Sequence, residues 1–348
     1  MRNVIMITAI FIALLSQRVS ADEPNVAEIE SKHLSNIHQV TTSGLPQAGE
    51  GYFSPDGTQI VFQAHPIGYP FYQIYTQSLE KGEPRLVSTG RGATTCSYFS
   101  IDGKKILFAS SHANPHVDEA EVKARELAAQ GGRRRYQWDF DEHMDIYVCN
   151  FDGTGLMPIT DTPGYDAEGS YSSDGKQIVF TSQRTGDLEL FIMNADGTEP
   201  RQLTNAKGYD GGPFFSPDNT WIIFRSDRDK EHMLQLYAIS VDGKQEVQLT
   251  KNLDQVNWAP YFHPTGKYII WGGADYSKGP MGANFDLFTM EIDYNDDAFK
   301  GGEITRITAH KGADILPVFS PDGTKLMWTS TRSETGKSQL FLADWVRK

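Results

Sequence analysis

The sequence predicts an all-β fold, a six-bladed β-propeller closed by pairing of an N-terminal strand with the C-terminal blade. Three short marks recur through the 348 residues: an Asp-Gly-like turn, a polar residue followed by Ile or Leu and an aromatic, and a threonine at the end of the unit. A single meander of this kind would leave its apolar faces in water, so it needs neighbours of the same type. Six coincident copies therefore predict a ring of blades.

The repeating unit is clearest over residues 165–204. Asp-Gly turns at Asp174 and Asp196 separate runs rich in β-branched and aromatic residues, which is typical of strands joined by hairpins. Pro200 begins a short outer strand, because proline cannot donate to a ladder. The first turn recurs at Ser54, Ser100, Ser172, Ser216, His263 and Ser320. The polar residue of the third strand recurs as Gln73, Asp145, Glu189, Gln235, Asp286 and Gln339.

The terminal threonine indicates how the ring closes. It ends five units, at Thr89, Thr160, Thr204, Thr250 and Thr308. The sixth copy stands at the front of the chain, in the HQVT of residues 38–41, and the last unit has only three strands. Pairing 38–41 with those three strands completes the sixth blade and protects the sheet edges.

The N-terminus has the pattern of an export signal. Arg2 precedes an apolar run over residues 4–15, and small residues near Ala21 suit cleavage. We therefore expect a signal peptide at 1–21, a flexible lead-in at 22–37, a propeller at 38–348 and a periplasmic or secreted location. No later stretch is apolar for long enough to predict a membrane span.

The net charge of −13 disfavours a general role in nucleic-acid binding, since phosphates need a basic face. The two cysteines, Cys96 and Cys149, fall in the first and third strands of one unit. A strand between them would hold them too far apart for a disulfide, so we expect free thiols.

Length variation is concentrated on one face of the predicted ring. We call it the loop-rich face: it carries the loops between second and third strands and those between blades. The largest insertion spans 111–143 and contains a helix-forming segment at 117–129. Loops held by a rigid scaffold commonly carry function, so we expect the functional site there and at the channel mouth.

These marks together resemble the TolB-type propeller repeat family over residues 38–346. Such repeats occur in TolB, in peptidase propellers and in oligogalacturonate-lyase-like enzymes. TolB has an α/β domain before its propeller, and we expect this chain to be the propeller without that domain. The resemblance to the lyase-like propellers implies histidines and a metal at the mouth.

Two sets of loop residues are candidates for chemistry. His112, His116 and His143, near several acidic residues, could bind a divalent metal ion through nitrogen and oxygen ligands; the alternative is solvated loop histidines. Arg184, Arg228 and Arg332 follow the second strands of their units. They could form a ring for acidic sugars or carboxylates, or each could bond a neighbouring loop as part of the repeat.

Further candidates line the same face. Arg135 could bind an anion or dock on the acidic body of the protein. Trp138 could stack on a ligand or pin the insertion, whereas Trp258 starts an inner strand near the mouth and is the better contact candidate. Four acidic residues at comparable inner-strand starts could hold a cation or cap loop backbone; they are Glu50, Glu168, Asp210 and Asp314.

Two functions remain open at this point. The first is an exported recognition module that binds a protein or a cell-envelope polymer through the loop-rich face. The second is a metal-assisted carbohydrate lyase or hydrolase, with the histidines as ligands. An enzyme requires the three histidines to converge, whereas a binding module requires only an aromatic patch, and we favour the module because no catalytic motif stands at fixed spacing.

Overall fold

The computed structural model describes residues 26–41, 44–80, 82–129 and 140–346, and these form six four-stranded antiparallel sheets. In five sheets the strand that comes first in the chain lies innermost, and in the sixth the innermost strand is the first of the three C-terminal strands. The inner strands contact one another in sequence, and the last contacts the first, so the ring is closed. The predicted six-bladed propeller is confirmed.

The blades follow the predicted repeat. Blade 1 consists of β2 (Gln47–Phe53), β3 (Gln59–His65), β4 (Gln73–Ser78) and β5 (Arg85–Leu86). Blade 2 consists of β6 (Thr94–Phe99), β7 (Lys105–Ser110), β8 (Asp145–Asn150) and β9 (Met157–Pro158). Blade 3 consists of β10 (Asp166–Tyr171), β11 (Gln177–Ser182), β12 (Glu189–Asn194) and β13 (Arg201–Gln202). Blade 4 consists of β14 (Asp210–Phe215), β15 (Trp221–Ser226), β16 (Gln235–Ser240) and β17 (Glu246–Gln248). Blade 5 consists of β18 (Gln255–Phe262), β19 (Tyr268–Asp275), β20 (Asp286–Asn295) and β21 (Ala298–Arg306). Blade 6 consists of β22 (Asp314–Phe319), β23 (Lys325–Ser330) and β24 (Gln339–Trp345), together with β1 (Leu34–Gln39).

The closing strand β1 pairs antiparallel with β24, as the displaced threonine predicted. It begins at Leu34, four residues before the predicted boundary at 38, because Leu34 is buried against Trp328 and Phe341 of the same blade. The short helix α1 (Val26–Glu30) precedes it and is held to blade 6, since Glu30 forms an ion pair with Arg332. The predicted signal peptide at 1–21 lies outside the described residues.

The terminal threonine recurs because it satisfies a buried backbone donor. In blade 3, Thr204 Oγ1 accepts a hydrogen bond from Leu190 N at 2.9 Å and donates to Glu189 at 2.6 Å. Equivalent acceptors for the third strand are Thr160, Thr250, Thr308 and Thr41. In blade 1 the acceptor is Ser88, at 3.0 Å from Ile74 N, so the predicted mark at Thr89 was one residue off. A hydroxyl, rather than threonine itself, is what the repeat requires.

Replacing Thr204 with Val should lower the free energy of unfolding by about 1–3 kcal/mol, because it leaves the buried Leu190 N–H without an acceptor. Urea unfolding would measure the loss. Thr198→Val, on an exposed turn of the same blade, is the matched control and should cost under about 1 kcal/mol because water replaces its contacts. Equal losses in the two variants would contradict this role.

The core lies between adjacent sheets. Large aromatics from the second strands are fully buried, among them Trp221, Trp271 and Trp328. Cys96 and Cys149 are free, as predicted. In the described part of the chain, no helix is long and apolar enough to cross a membrane.

The predicted helical insertion is confirmed as α2 (Val117–Ala129), on the loop-rich face. It is anchored to blade 1 through the buried carboxylate of Glu121. That carboxylate accepts hydrogen bonds from Tyr69 OH at 2.5 Å and from Gly92 N at 3.2 Å. Arg91 adds an ion pair to Asp118 at 2.7 Å. The helix is therefore held firmly against the loops that follow the second and fourth strands of blade 1.

Candidate functional site

Each inner strand carries a β-bulge at the same level of the central channel. One residue per bulge has positive φ, between 46° and 59°. These residues are Glu50, Cys96, Glu168, Gly212, Ala259 and Leu316. All six line one cavity of about 50 Å³, so the ring of bulges defines the central site.

The cavity has an aromatic floor. Tyr52, Tyr98, Phe214 and Tyr261 stand two residues beyond their bulges, and their rings contact one another with centroids 4.9–6.3 Å apart. Each inner strand runs from the loop-rich face towards the Asp-Gly turns. The rings therefore close the channel on the turn side, and any entry to the cavity is from the loop-rich face.

An ion pair crosses the cavity wall between blades 3 and 4. Arg225 lies 3.3 Å from Glu168, which also accepts hydrogen bonds from Tyr209 OH at 2.7 Å and Gly212 N at 2.5 Å. A Cβ at Gly212 would lie 1.9 Å from the Arg225 guanidinium, so this bulge must be glycine for the arginine to fit. Burial alone would lower the pKa of Arg225, but its electrostatic interactions with Tyr209 and Glu168 outweigh burial and raise it, so the guanidinium stays charged.

Glu50 is the second carboxyl in the cavity. Burial raises its pKa to about 7, and the nearby Glu168 carboxylate adds to the rise, while contacts to Cys96, Arg225 and Tyr52 oppose it. The pKa of the Cys96 thiol is raised well above its usual value, chiefly by burial. The cavity thus holds a neutral thiol, a neutralised ion pair and one carboxyl that titrates near neutral pH.

Glu50→Gln should change the pH dependence of stability. Because folding raises the pKa of Glu50 from 4.5 to about 7, the contribution of this group is complete below pH 4.5 and is lost as pH rises through 7. Glutamine cannot ionise, so the variant does not share this loss. The unfolding free energy of the variant minus that of the wild type should therefore be about 3 kcal/mol larger at pH 8 than at pH 4. Urea unfolding at both pH values checks this, and a pH-independent difference would contradict it.

The three predicted arginines occupy equivalent places in separate blades. Each guanidinium pairs with the first residue of its own inner strand: Arg184 with Asp166, Arg228 with Asp210, and Arg332 with Asp314, at 2.5–2.8 Å. Each also bonds the serine two residues before it. The structure does not bring the three together in one place, and a ligand-binding role for them stays a prediction.

The predicted set of four acidic residues falls into two classes. Asp210 and Asp314 are first in their strands and pair with arginines, as Asp166 does. Glu50 and Glu168 sit at the bulges and face the cavity. The expectation that the four residues hold comparable positions was therefore wrong. The bulge turns Glu50 and Glu168 into the channel, whereas Asp210 and Asp314, at the strand starts, pair with arginines of their own blades.

The three predicted histidines take separate positions around the insertion. His112 Nδ1 lies 2.9 Å from Ser110 Oγ, with its ring against Tyr147. His116 is exposed beside Glu119, and His143 lies near Glu142. Within the described ranges, no group of three or more His, Cys, Asp or Glu side chains could hold a metal ion. A metal at these histidines stays a prediction.

Aromatic side chains form a row across the channel mouth. Phe140, from the insertion, contacts Tyr165 at 5.2 Å and Tyr209 at 5.9 Å. Arg225 lies over the rings of Tyr209 and Trp258 at 5.5 and 5.8 Å. Phe285 then contacts both Trp258 and Tyr276. We call this the mouth row; it contains the predicted Trp258, whereas Arg135 and Trp138 lie outside the described residues.

Sequence reasoning missed Arg225 and Gln63, which hold equivalent places in the second strands of blades 4 and 1. The corresponding residues elsewhere are small: Ala109, Thr181, Gly272 and Thr329. An arginine in a strand position otherwise held by small residues was a usable signal. Gly212 in the facing strand was a second signal, because a side chain there would occupy the space of the Arg225 guanidinium.

The sequence pattern of the TolB beta propeller domain family matches residues 183–296. Residues 183–296 are therefore similar to TolB-type propeller repeats. Over 116 residues it is 26% identical to the Tol-Pal system protein TolB of Francisella tularensis subsp. holarctica, an alignment covering 33% of this chain. That alignment spans 24% of the length of the relative.

Solved structures share the TolB-type fold. TolB from Acinetobacter baumannii superposes with a TM-score of 0.54 at 19% identity, over 86% of this chain and 63% of that one. An oligogalacturonate lyase in complex with manganese gives 0.51 at 15% identity, over 89% of this chain and 93% of that one. At these identities the likeness concerns the fold alone.

Proposed function

We propose that this protein is an exported, periplasmic recognition module that binds a protein segment through the loop-rich face, at the mouth row. The mouth row is the observation that carries the proposal. Aromatic side chains supply much of the binding energy in protein interfaces, because they bury large apolar areas at low entropic cost. Phe140 remains 41% exposed although it contacts two other rings.

The surroundings of the mouth row suit a docking site. The helix α2, on the same face as the mouth row, is held by buried hydrogen bonds, so this part of the loop-rich face is preformed. Further apolar side chains are exposed on loops of the same face, with Ile67 and Met281 the most solvent-exposed. Apolar atoms on one face, surrounded by polar loops, match the usual anatomy of a protein interface. The similarity to a Tol-Pal system protein is consistent with an envelope partner.

Site-specific photocrosslinking in cells tests the proposal. A photoreactive amino acid replacing Phe140 or Tyr276 should give a discrete protein adduct in the periplasmic fraction. The same substitution at Ile101, which is exposed on the turn side, is the matched control and should give none. Identical adducts from both faces, or capture of polysaccharide alone at the mouth row, would contradict binding of a protein there.

A further inference from the structure

Three polar atoms on the cavity wall have unused hydrogen-bonding capacity. Gln63 Oε1, Ser97 Oγ and Arg225 Nε are buried and have no hydrogen-bond partner among the described residues. The side chains of Gln63 and Ser97 are 5% and 1% exposed, and all three residues line the central cavity. Buried polar groups in native proteins are normally satisfied, so these atoms indicate a bound polar group.

The capacities of these atoms define what would bind. The Gln63 carbonyl oxygen only accepts, and the Ser97 hydroxyl can accept. Glu50 adds a carboxylate at neutral to alkaline pH, and Trp258 and Tyr52 add aromatic walls. A group that donates several hydrogen bonds and carries positive charge satisfies this set. Arg225 Nε, in contrast, requires an acceptor oxygen close to that cation.

A divalent metal ion fits the same set less well. The oxygens of Glu168 already accept from Tyr209, Gly212 and Thr181 and face a guanidinium, which leaves Glu50 as the carboxylate available in the cavity. Divalent cations favour several anionic oxygens, and the positive charge of Arg225 opposes a doubly charged ion. A singly charged organic donor needs fewer anionic oxygens, and Arg225 repels it less strongly than a doubly charged ion.

The size of the cavity limits the ligand further. One water-sized group needs roughly 10–15 Å³ of such volume. A cavity of about 50 Å³ therefore has room for about four heavy atoms. Two carbons, one nitrogen and one oxygen fill it.

We propose that the central cavity binds a primary ammonium group with an oxygen on the neighbouring carbon, as in ethanolamine. The ammonium group donates to Glu50, Gln63 and Ser97, and the oxygen accepts from Arg225 Nε. This site lies below the mouth row, and the proposal does not depend on the protein partner proposed above.

Calorimetric titration at pH 8 with simple amines tests the ligand class, because aliphatic ammonium groups keep their proton there. Ethanolamine should bind with a Kd of roughly 0.1–10 mM, which suits a four-atom ligand. Ethylamine, which lacks the oxygen, should bind about fivefold more weakly. Choline has no N–H donor and should not bind. Equal binding of choline, or no heat with any amine, would overturn the proposal.

The affinity should also depend on pH. Tyr52, Cys96, Glu168 and Arg225 face Glu50. Burial holds the pKa of Tyr52 and of the Cys96 thiol well above their usual values, and the pKa of Arg225 is also raised, whereas the pKa of Glu50, about 7, lies between pH 6 and 8. Lowering the pH from 8 to 6 should weaken ethanolamine binding about tenfold as Glu50 takes up its proton. A pH-independent affinity would show that the ammonium group is not held by Glu50.

Two variants place the site. Glu50→Gln should weaken ethanolamine binding at least tenfold, and Ser97→Ala three- to tenfold. Glu189→Gln is the matched control, since burial also raises the pKa of Glu189 to about 7 but it lies in blade 3 away from the cavity; its affinity should be unchanged. Binding that survives Glu50→Gln, or calcium binding in place of the amine, would overturn the proposal.

Titration with glycerophosphoethanolamine distinguishes the source of the ligand. If it binds as tightly as ethanolamine, the ligand is a lipid headgroup; if it binds more weakly, the ligand is a free amino alcohol.

Discussion

Replacing Arg225 with Met should lower the free energy of unfolding by about 3–5 kcal/mol, because it leaves Glu168 charged and buried without its cation. Hydrogen bonds from Tyr209 and Gly212 would remain but do not neutralise the carboxylate. Chemical denaturation at pH 8 measures the loss.

A double variant is the control for this prediction. Glu168→Leu combined with Arg225→Met removes both charges, and Leu316 already holds the equivalent bulge in blade 6 at a φ of 54°. Replacing a buried ion pair by apolar residues is often close to neutral, so the double variant should recover at least half of the loss. A double variant as unstable as Arg225→Met alone would show that packing, rather than charge, dominates at this position.

Replacing Leu34 with Asn should cost about 4 kcal/mol or more, the second large effect we expect. The substitution removes a buried side chain from the cluster of Trp328 and Phe341 and places an amide there without a partner. Thermal unfolding would show a large fall in Tm, and size-exclusion chromatography would show association through the opened edge of β24.

Ser35→Asn is the matched control for the closing strand. It introduces the same amide at the neighbouring residue, which is exposed on the other side of β1. Its cost should stay within about 0.5 kcal/mol. If the two variants unfold together at the lower temperature, the strand pairing itself, rather than the apolar contact of Leu34, determines closure.

The architecture could be predicted from sequence because its signals are local and repeated. The Asp-Gly turns depend on backbone conformation within four residues, and the terminal threonine depends on one hydrogen bond within its own blade. Because the pattern occurs six times, one irregular unit, such as blade 1 with Ser88 in place of the threonine, did not obscure the repeat. The position of Leu34 was missed because its burial depends on Trp328 and Phe341, which lie at the other end of the chain.

The central site could be predicted only in part because it depends on features that do not repeat. The β-bulge recurs in all six blades, but six different side chains occupy it and no local motif marks it. Glu50 and Glu168 were recognised as acidic residues near the mouth, yet their separation from Asp210 required the register of the inner strands. The pairing of Arg225 with Glu168 joins two blades, so neither repeat contains the information alone.

The pairing of β1 with β24 in blade 6, which we call the seam, joins the part of the chain that is synthesised first to the part that is synthesised last. Thr41 and Gln339, which share a hydrogen bond, stand 298 residues apart in the chain. At roughly 5–20 residues per second, a ribosome needs on the order of 15–60 s to make the partner that β1 requires. During that time five blades can form from neighbouring segments, but the strand made first stays unpaired until the last strand emerges. A polypeptide that stops before β24 therefore leaves β1 without its partner strand and the ring open.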